Sequence, residues 1–174
     1  MSNYKKKLRD IKAFVFDVDG VFTDGTVLVT ESGDFLRAHH AKDGYAVRCA
    51  VTLGYPVGII TGGTSLTIPK RFDMLGITDV YLGAHAKMEP FLHFCAKYRL
   101  NPSQTLFMGD DIPDIEVMKA CGLPCAPLDA VPEVQQVAHY ISPYAGGKGC
   151  VRDVVEQTLR LHGKWHQETQ IVSA

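Results

Sequence analysis

"FVFDVDGVFTDG", Phe14 to Gly25, opens as a strand and ends as something else. Phe14, Val15 and Phe16 run without the polar alternation of a half-exposed strand, so the segment reads as buried on both faces. Asp17 and Asp19 follow with only Val18 between them, and Gly20 closes the group. In open α/β sheets, ligands sit beyond the carboxyl ends of the strands. Two carboxylates at such an end need a cation or a proton to compensate them.

The rest of the chain alternates in the matching sense. "TVLVT", "ESGD" and "FLRAHH" read as a β-hairpin turning at Gly33. From Asp43 the apolar spacing becomes helical as far as Leu53, with Gly54 as the stop. "YPVGIIT" is a second buried strand; Thr64 or Ser65 is placed to cap a helix running to Leu75, with Gly76 at its end. "DVYLG" gives a short strand, Ala86 to Tyr98 a helix and "TLFMGDD" a strand. A helix through Met118, the strand "LPCAP" and a helix from Val151 to Leu161 complete the series. This order predicts an α/β fold: a doubly wound parallel sheet with helices on both faces and a hairpin after the first strand. The 174 residues suit one domain. Its core is expected over about residues 10–162, with a polar tail, 163–174, that is mobile or ordered by a neighbouring subunit.

A net charge of -1 argues against nucleic-acid binding, which needs clustered basic residues. The run Lys5-Lys6-Lys7 with Arg9 reads as a solvated leader. No apolar segment approaches the roughly 20 residues that span a bilayer, and the N-terminus lacks the apolar core of a secretory signal, so neither membrane nor export is expected. The five cysteines form no C-x-x-C pair and read as reduced, buried thiols of a cytoplasmic protein. "GGKG", Gly146 to Gly149, is not a P-loop, because the upstream glycine is missing and Cys150 stands where a hydroxyl residue is required. His39, His40 and His85 read as surface histidines.

The polar residues instead gather at strand ends. Asp17 and Asp19 end the first strand, Thr61-Gly62-Gly63 the second, and Asp110-Asp111 the strand "TLFMG"; Lys87 starts the helix between those last two. Each has an ordinary reading alone: Asp111 and Asp114 as turn or cap residues, Thr61 as a backbone-bonding hydroxyl, Lys87 as a surface lysine. Together the carboxylates repel unless a cation compensates, and the set favours Mg²⁺ held by one or two carboxylates plus phosphate and water oxygens.

"DVDGVFTDG", "IITG", Lys87 and "GDDIPD" resemble, in order and spacing, the four motifs of the haloacid-dehalogenase-like phosphatases, over about Phe14 to Ala126. The resemblance implies that Asp17 is the nucleophile that carries the phosphoryl group, and Asp19 the general acid and then base. It implies Mg²⁺ bridging Asp17, the backbone carbonyl of Asp19, Asp110 and a phosphate oxygen. Thr61 and Lys87 would hold the equatorial phosphoryl oxygens. Asp111 is expected to orient Lys87 or a metal-bound water, and Asp114 to start a helix.

Most relatives in that superfamily carry a cap domain, for which neither interval between these motifs leaves room. The chain is more narrowly similar to the capless 3-deoxy-D-manno-octulosonate 8-phosphate phosphatases of lipopolysaccharide precursor synthesis. That likeness implies a homotetramer assembled through the hairpin "TVLVTESGDFLRAHH", with active sites at subunit interfaces, and matches "GGKGCVRDV" to a glycine-rich segment before the last helix. It makes His40, Ala41, Lys42, Asp43, Gly44 and Arg48, with Gly62, Gly63 and Lys87, candidates for substrate binding. Arg71 is assigned to the sugar carboxylate, which a guanidinium grips with two parallel hydrogen bonds. The subfamily often has arginine where this chain has Gly63, which removes a cation near the substrate. A nine-carbon ulosonic acid 9-phosphate is the alternative substrate; the intact "KDG", Lys42 to Gly44, favours the eight-carbon acid. Two other classes compete. A receiver-like phospho-acceptor would need its aspartate after a middle strand, where Thr61 stands, and a catalytically silent scaffold would not need Asp17, Asp19, Lys87 and Asp110 together.

Overall fold

In the computed structural model, which describes residues 4–165, the apolar run Ala13–Phe16 becomes strand β1, with all four residues buried. A short helix, α1 (Tyr4–Leu8), precedes it. The hairpin follows as β2 (Leu28–Val29) and β3 (Phe35–Leu36), paired antiparallel. Next come α2 (Ala41–Thr52), β4 (Val57–Ile60), α3 (Thr67–Asp73), β5 (Asp79–Tyr81), α4 (Met88–Lys97) and β6 (Thr105–Met108). The chain continues through α5 (Ile115–Ala120), β7 (Leu123–Ala126), α6 (Pro132–Val137), β8 (Tyr140–Ile141) and α7 (Cys150–Leu161).

Six strands form one sheet in the order β5-β4-β1-β6-β7-β8, and every pairing in it is parallel. From β1 the chain winds outward through β4 and β5, then returns to the other side of β1 for β6, β7 and β8. The carboxyl ends of β4, β1 and β6 therefore meet where the winding reverses, the usual ligand crevice of such sheets. Side-chain alternation along β1 sends Phe14 and Phe16 to the core that includes α2 and α7, and Ala13 and Val15 to the core that includes α4 and α5. Between β1 and β4 the chain forms only the hairpin and α2, and between β4 and β6 only α3, β5 and α4, so no cap domain stands over the sheet edge.

Several expectations change in detail. Helix α3 is shorter than expected, and Leu66 precedes it with no side-chain cap. The basic leader is not free chain: Lys5 and Lys6 are exposed on α1 while Leu8 is buried, and the Tyr4 ring lies 4.4 Å from that of Tyr140. Elements α6 and β8 had no counterpart in the sequence reading, because six- and two-residue segments are too short to show a period. Among the described residues no helix is long and apolar enough to cross a membrane. The expected tail falls outside the described residues from position 166 onward.

Candidate active site at the strand ends

Asp17 is the first residue past β1, and its N–H donates to the Met108 carbonyl (3.1 Å), which ties the end of β1 to the end of β6. The chain then turns tightly, with the N–H groups of Val21, Phe22 and Thr23 converging on the Val18 carbonyl. At Gly20 (φ +80°) a Cβ would collide with the Asp110 carboxylate, so only glycine lets the two motifs close on each other. The segment "GGKG" braces this turn from behind. The Gly147 N–H donates to the Val21 carbonyl (2.9 Å), and a Cβ at Gly146 would strike the Gly20 carbonyl.

Lys87, buried at the start of α4, places its Nζ 3.0 Å from Asp17 Oδ1 and 2.7 Å from Asp114 Oδ1. Burial alone would pull its pKa down, but Asp17 and Asp114 outweigh that and hold it above the usual lysine value. Asp114 is fully buried, and its Oδ2 accepts from the N–H groups of Asp110 (3.0 Å) and Asp111 (3.3 Å). Asp111 is exposed and accepts from the N–H of Ile112 (2.8 Å). Asp114 stands at the start of α5 as expected, and it also takes the orienting role expected of Asp111: Asp114 holds Lys87, and Asp111 caps the turn. Spacing could not separate them, because both lie in "DDIPD" and only the turn's path decides which faces inward.

The site holds more negative charge than it neutralises. Burial, then the charge of Asp114, push the Asp17 carboxyl up to about 7 against the pull of Lys87. Burial, then Asp17, Asp114 and Asp111, push Asp110 up to about 8. Asp110 Oδ1 is buried without a hydrogen-bond partner. Oxygens of Asp17, Asp110 and Asp114 lie within 4.8 Å of one another. Asp114 spends both oxygens on protein donors, which leaves Asp17 and Asp110 to face a ligand. A hard divalent cation fits this oxygen set and relieves the repulsion within it.

Asp19 extends from the same turn and is half-exposed. Arg37, just past β3, grips it with two parallel bonds, Nε to Oδ1 (2.7 Å) and Nη2 to Oδ2 (3.0 Å). Sequence reasoning did not find Arg37; a lone arginine in an exposed hairpin carries no signal until the hairpin folds back. Thr61 is buried past β4, and its Oγ1 accepts from the Gly63 N–H (3.1 Å), leaving its own proton to donate. A cavity of about 410 Å³ is lined by Asp17, Asp19, Thr61, Lys87, Asp110 and Asp114, together with Gly62 and Gly63.

Of the substrate-binding candidates, Gly62, Gly63 and Lys87 are gathered there and those of the segment His40 to Arg48 are not. His40 and Lys42 line a separate cavity of about 570 Å³ beside the start of α7, and Ala41 is exposed next to them. Asp43 has no exposed surface, and its Oδ1 accepts from the Arg152 N–H (2.7 Å), so it caps α7 and is corrected from a ligand contact to a structural one. Its Oδ2 lies 3.7 Å from His40 Nδ1, a pairing the surface reading of His40 did not include. Gly44 is buried too; a Cβ there would come within 2.6 Å of Arg71 Nη2, so it provides the space in which Arg71 lies and does not itself reach a ligand. Arg48 donates to the Met74 carbonyl (3.2 Å) and does not line the phosphoryl cavity. Arg71 stays near the site, close enough to depress His39 along with burial, on the same ring that Asp19 acts on.

The haloacid dehalogenase-like hydrolase family model matches residues 44–122. The 3-deoxy-D-manno-octulosonate 8-phosphate phosphatase of Escherichia coli K12 is 37% identical over 158 residues, covering 91% of this chain and 84% of that one. The crystal structure of the enzyme of that name from Yersinia pestis superposes with a TM-score of 0.91 at 34% identity, over 94% of this chain and 88% of that one. The Moraxella catarrhalis enzyme, solved in complex with magnesium, phosphate and 3-deoxy-D-manno-octulosonate (KDO), gives a TM-score of 0.89 at 28% identity, over 92% of each chain.

Proposed function

Because the chain belongs to the haloacid dehalogenase-like hydrolases, in the family of the 3-deoxy-D-manno-octulosonate 8-phosphate phosphatases, we propose that it hydrolyses this phosphate to the free sugar acid. It is a Mg²⁺-dependent phosphoric monoester hydrolase of lipopolysaccharide precursor synthesis, and the nine-carbon alternative is not favoured, since these relatives act on the eight-carbon acid. The observation that carries the reading is Asp17, buried between Lys87 and an Asp110 oxygen that has no partner.

Asp17 attacks phosphorus; its oxygen–phosphorus bond forms as the bond to the sugar oxygen breaks, and Asp19 gives that oxygen a proton. Water then attacks phosphorus, the Asp17–phosphorus bond breaks, and Asp19 takes the proton that water loses. Asp17, Asp110 and the Asp19 carbonyl are the groups that would hold Mg²⁺, which would supply the positive charge that keeps Asp17 ionised beside a phosphate dianion. Lys87 has three N–H donors, of which Asp17 and Asp114 take two, and the third is left for a phosphoryl oxygen. The Thr61 hydroxyl and the Gly62 and Gly63 backbone bind the remaining phosphoryl oxygens, and Arg71 takes the sugar carboxylate. His40, Ala41 and Lys42, distant from the phosphoryl site in a single chain, are read as contacts supplied across a subunit interface.

This reading treats residues 1–174 as one phosphatase domain that works as a homotetramer. Leu28 and Val29, each 65% exposed, and Phe35 and Leu36 on the hairpin support an assembly that covers them. Five free, buried thiols suit a cytoplasmic protein. Phosphate release with Mg²⁺ from eight- and nine-carbon ulosonic acid phosphates and glucose 6-phosphate tests the substrate; equal rates on all three would defeat it. Asp17→Ala tests the chemistry, and undiminished turnover in that variant would overturn it. Sedimentation of a Leu36→Asp variant tests the assembly, which is expected to dissociate.

A further inference from the structure

Arg37 is the largest commitment near the cavity that the phosphatase reading leaves unused. Its side chain is only 8% exposed, yet it comes from a hairpin whose neighbouring residues are among the most exposed apolar groups of the chain. It is absent from the cavity wall that Asp19 helps to line, so it holds Asp19 from outside. The two bonds run to different oxygens, so the fork fixes the plane of the carboxylate as well as its position. Gly63 leaves the guanidinium its room: a Cβ there would sit 3.5 Å from Arg37 Nη2 and only 3.0 Å from Ile68 Cδ1, so a longer side chain would compete for the same space. The hairpin thus brings a cation to the position beside Gly63 where the local sequence has none.

We infer that Arg37 is the positioning residue for Asp19, and that it leaves Oδ2 as the oxygen that exchanges the proton with the leaving group. An ionised carboxylate offers about four acceptor sites. On Oδ1 one is taken by Arg37 Nε at 2.7 Å and the Thr23 hydroxyl approaches a second at 3.4 Å. On Oδ2 only Arg37 Nη2 binds, at 3.0 Å, so this oxygen keeps a site free for a proton. Thr23 is fixed in turn, since its Oγ1 accepts from the Gly25 N–H at 3.2 Å. A carboxyl group held in one plane delivers its proton along one direction, whereas a freely rotating one on a half-exposed turn spends little time in the productive pose.

The inference rests on the phosphatase reading, and its test separates the two. Leaving-group release is measured in single turnovers, enzyme in excess and Mg²⁺ present, with two substrates. One is the eight-carbon sugar acid 8-phosphate, whose leaving oxygen needs a proton; the other is 4-nitrophenyl phosphate, whose leaving phenolate does not. Arg37→Ala is expected to slow release from the sugar phosphate about 10²-fold and from the nitrophenyl ester by less than about threefold. Added guanidinium should restore much of the loss, and Arg37→Lys should fall between, because an ammonium cannot make the fork. Arg37→Gln, which keeps the packing length, serves in place of an alanine variant that does not fold. Equal losses on both substrates, or no loss on either, would overturn the positioning role. A wild-type protein inactive on the sugar phosphate would instead overturn the phosphatase reading itself.

Discussion

The ledge at the ends of β1 and β6 and the hairpin β2–β3, which meet at Asp19 and Arg37, are built on opposite terms. On the ledge, Asp17, Lys87 and Asp114 are buried, and two short ion pairs to Lys87 hold them in register. On the hairpin, one pair of two-residue strands exposes Leu28, Val29, Phe35 and Leu36. The ledge draws its acids, Lys87 and Thr61 together around one cavity of a single chain. The hairpin leaves its apolar side chains exposed, and the ion pair from Arg37 to Asp19 ties its end to the ledge. The charged cluster is therefore placed on strand ends fixed by the sheet, while the hairpin is held by few buried contacts of its own.

The sharpest way to break that contrast is at the ledge. Asp17→Asn is expected to lower turnover by at least about 10⁴-fold, as removal of the proposed nucleophile does. The same change removes one of the crowded acids, so the metal-free variant should melt at or above the wild-type temperature. Loss of activity with loss of fold would mean that Asp17 is structural.

Next in size is the division of roles between Asp111 and Asp114. Asp114→Asn keeps the shape but offers an amide where three donors converge, and should cost about 10²-fold in turnover through a misplaced Lys87. Asp111→Ala removes a cap from an exposed turn and should stay within about threefold. Steady-state rates at saturating Mg²⁺ decide between them, and the opposite ranking would restore the roles expected from sequence.

That division marks where legibility ends. The strands and their parallel sense follow from runs such as Ala13–Phe16, because burial on both faces imposes one composition, while the four motifs are legible through their resemblance to a known family. The acids Asp17, Asp19 and Asp110 are legible for the same reason, as each interrupts an apolar run at its carboxyl end. Arg37 is not, because its partner is set by how the hairpin folds over Asp19. Asp43 misleads in the opposite direction: it is polar and near the motif, yet it is buried as the cap of a helix more than a hundred residues away. Residues that act through the path of a loop leave no periodic trace.

A smaller effect comes from pH without metal. Asp17 and Asp110 are held up to about 7 and about 8, well above the value the unfolded chain has. Between those limits the folded form binds more protons than the unfolded form, so stability falls as pH rises. The metal-free protein should lose about 5 °C of melting temperature or more between about pH 5 and pH 8. Mg²⁺ should restore more at the alkaline end, where both carboxylates must ionise, than at the acid end. A melting temperature that rises over this interval in metal-free buffer would contradict the crowded-carboxylate account. A hairpin variant such as Leu36→Asp should leave this pH slope unchanged, because no group responsible for it lies on the hairpin.

The least effect is expected at Arg48, which tests the comparison from its weaker side. Its Nη1 donates to the Met74 carbonyl at 3.2 Å, on an exposed stretch past the end of α3, and it does not line the phosphoryl cavity. Removing it costs one solvent-accessible hydrogen bond, on the order of 0.5 kcal/mol. Arg48→Ala should therefore change kcat/KM by less than about twofold and the melting temperature by about 2 °C or less. Arg71→Ala, on α3, is the contrasting variant, expected to raise KM about tenfold while leaving kcat nearly unchanged, as loss of a uniform binding contact does. If Arg48→Ala raised KM as much as Arg71→Ala, the sugar would have to lie across α2 and the end of α3, and the boundary drawn between a buried ledge and an exposed hairpin would move to include that helix pair.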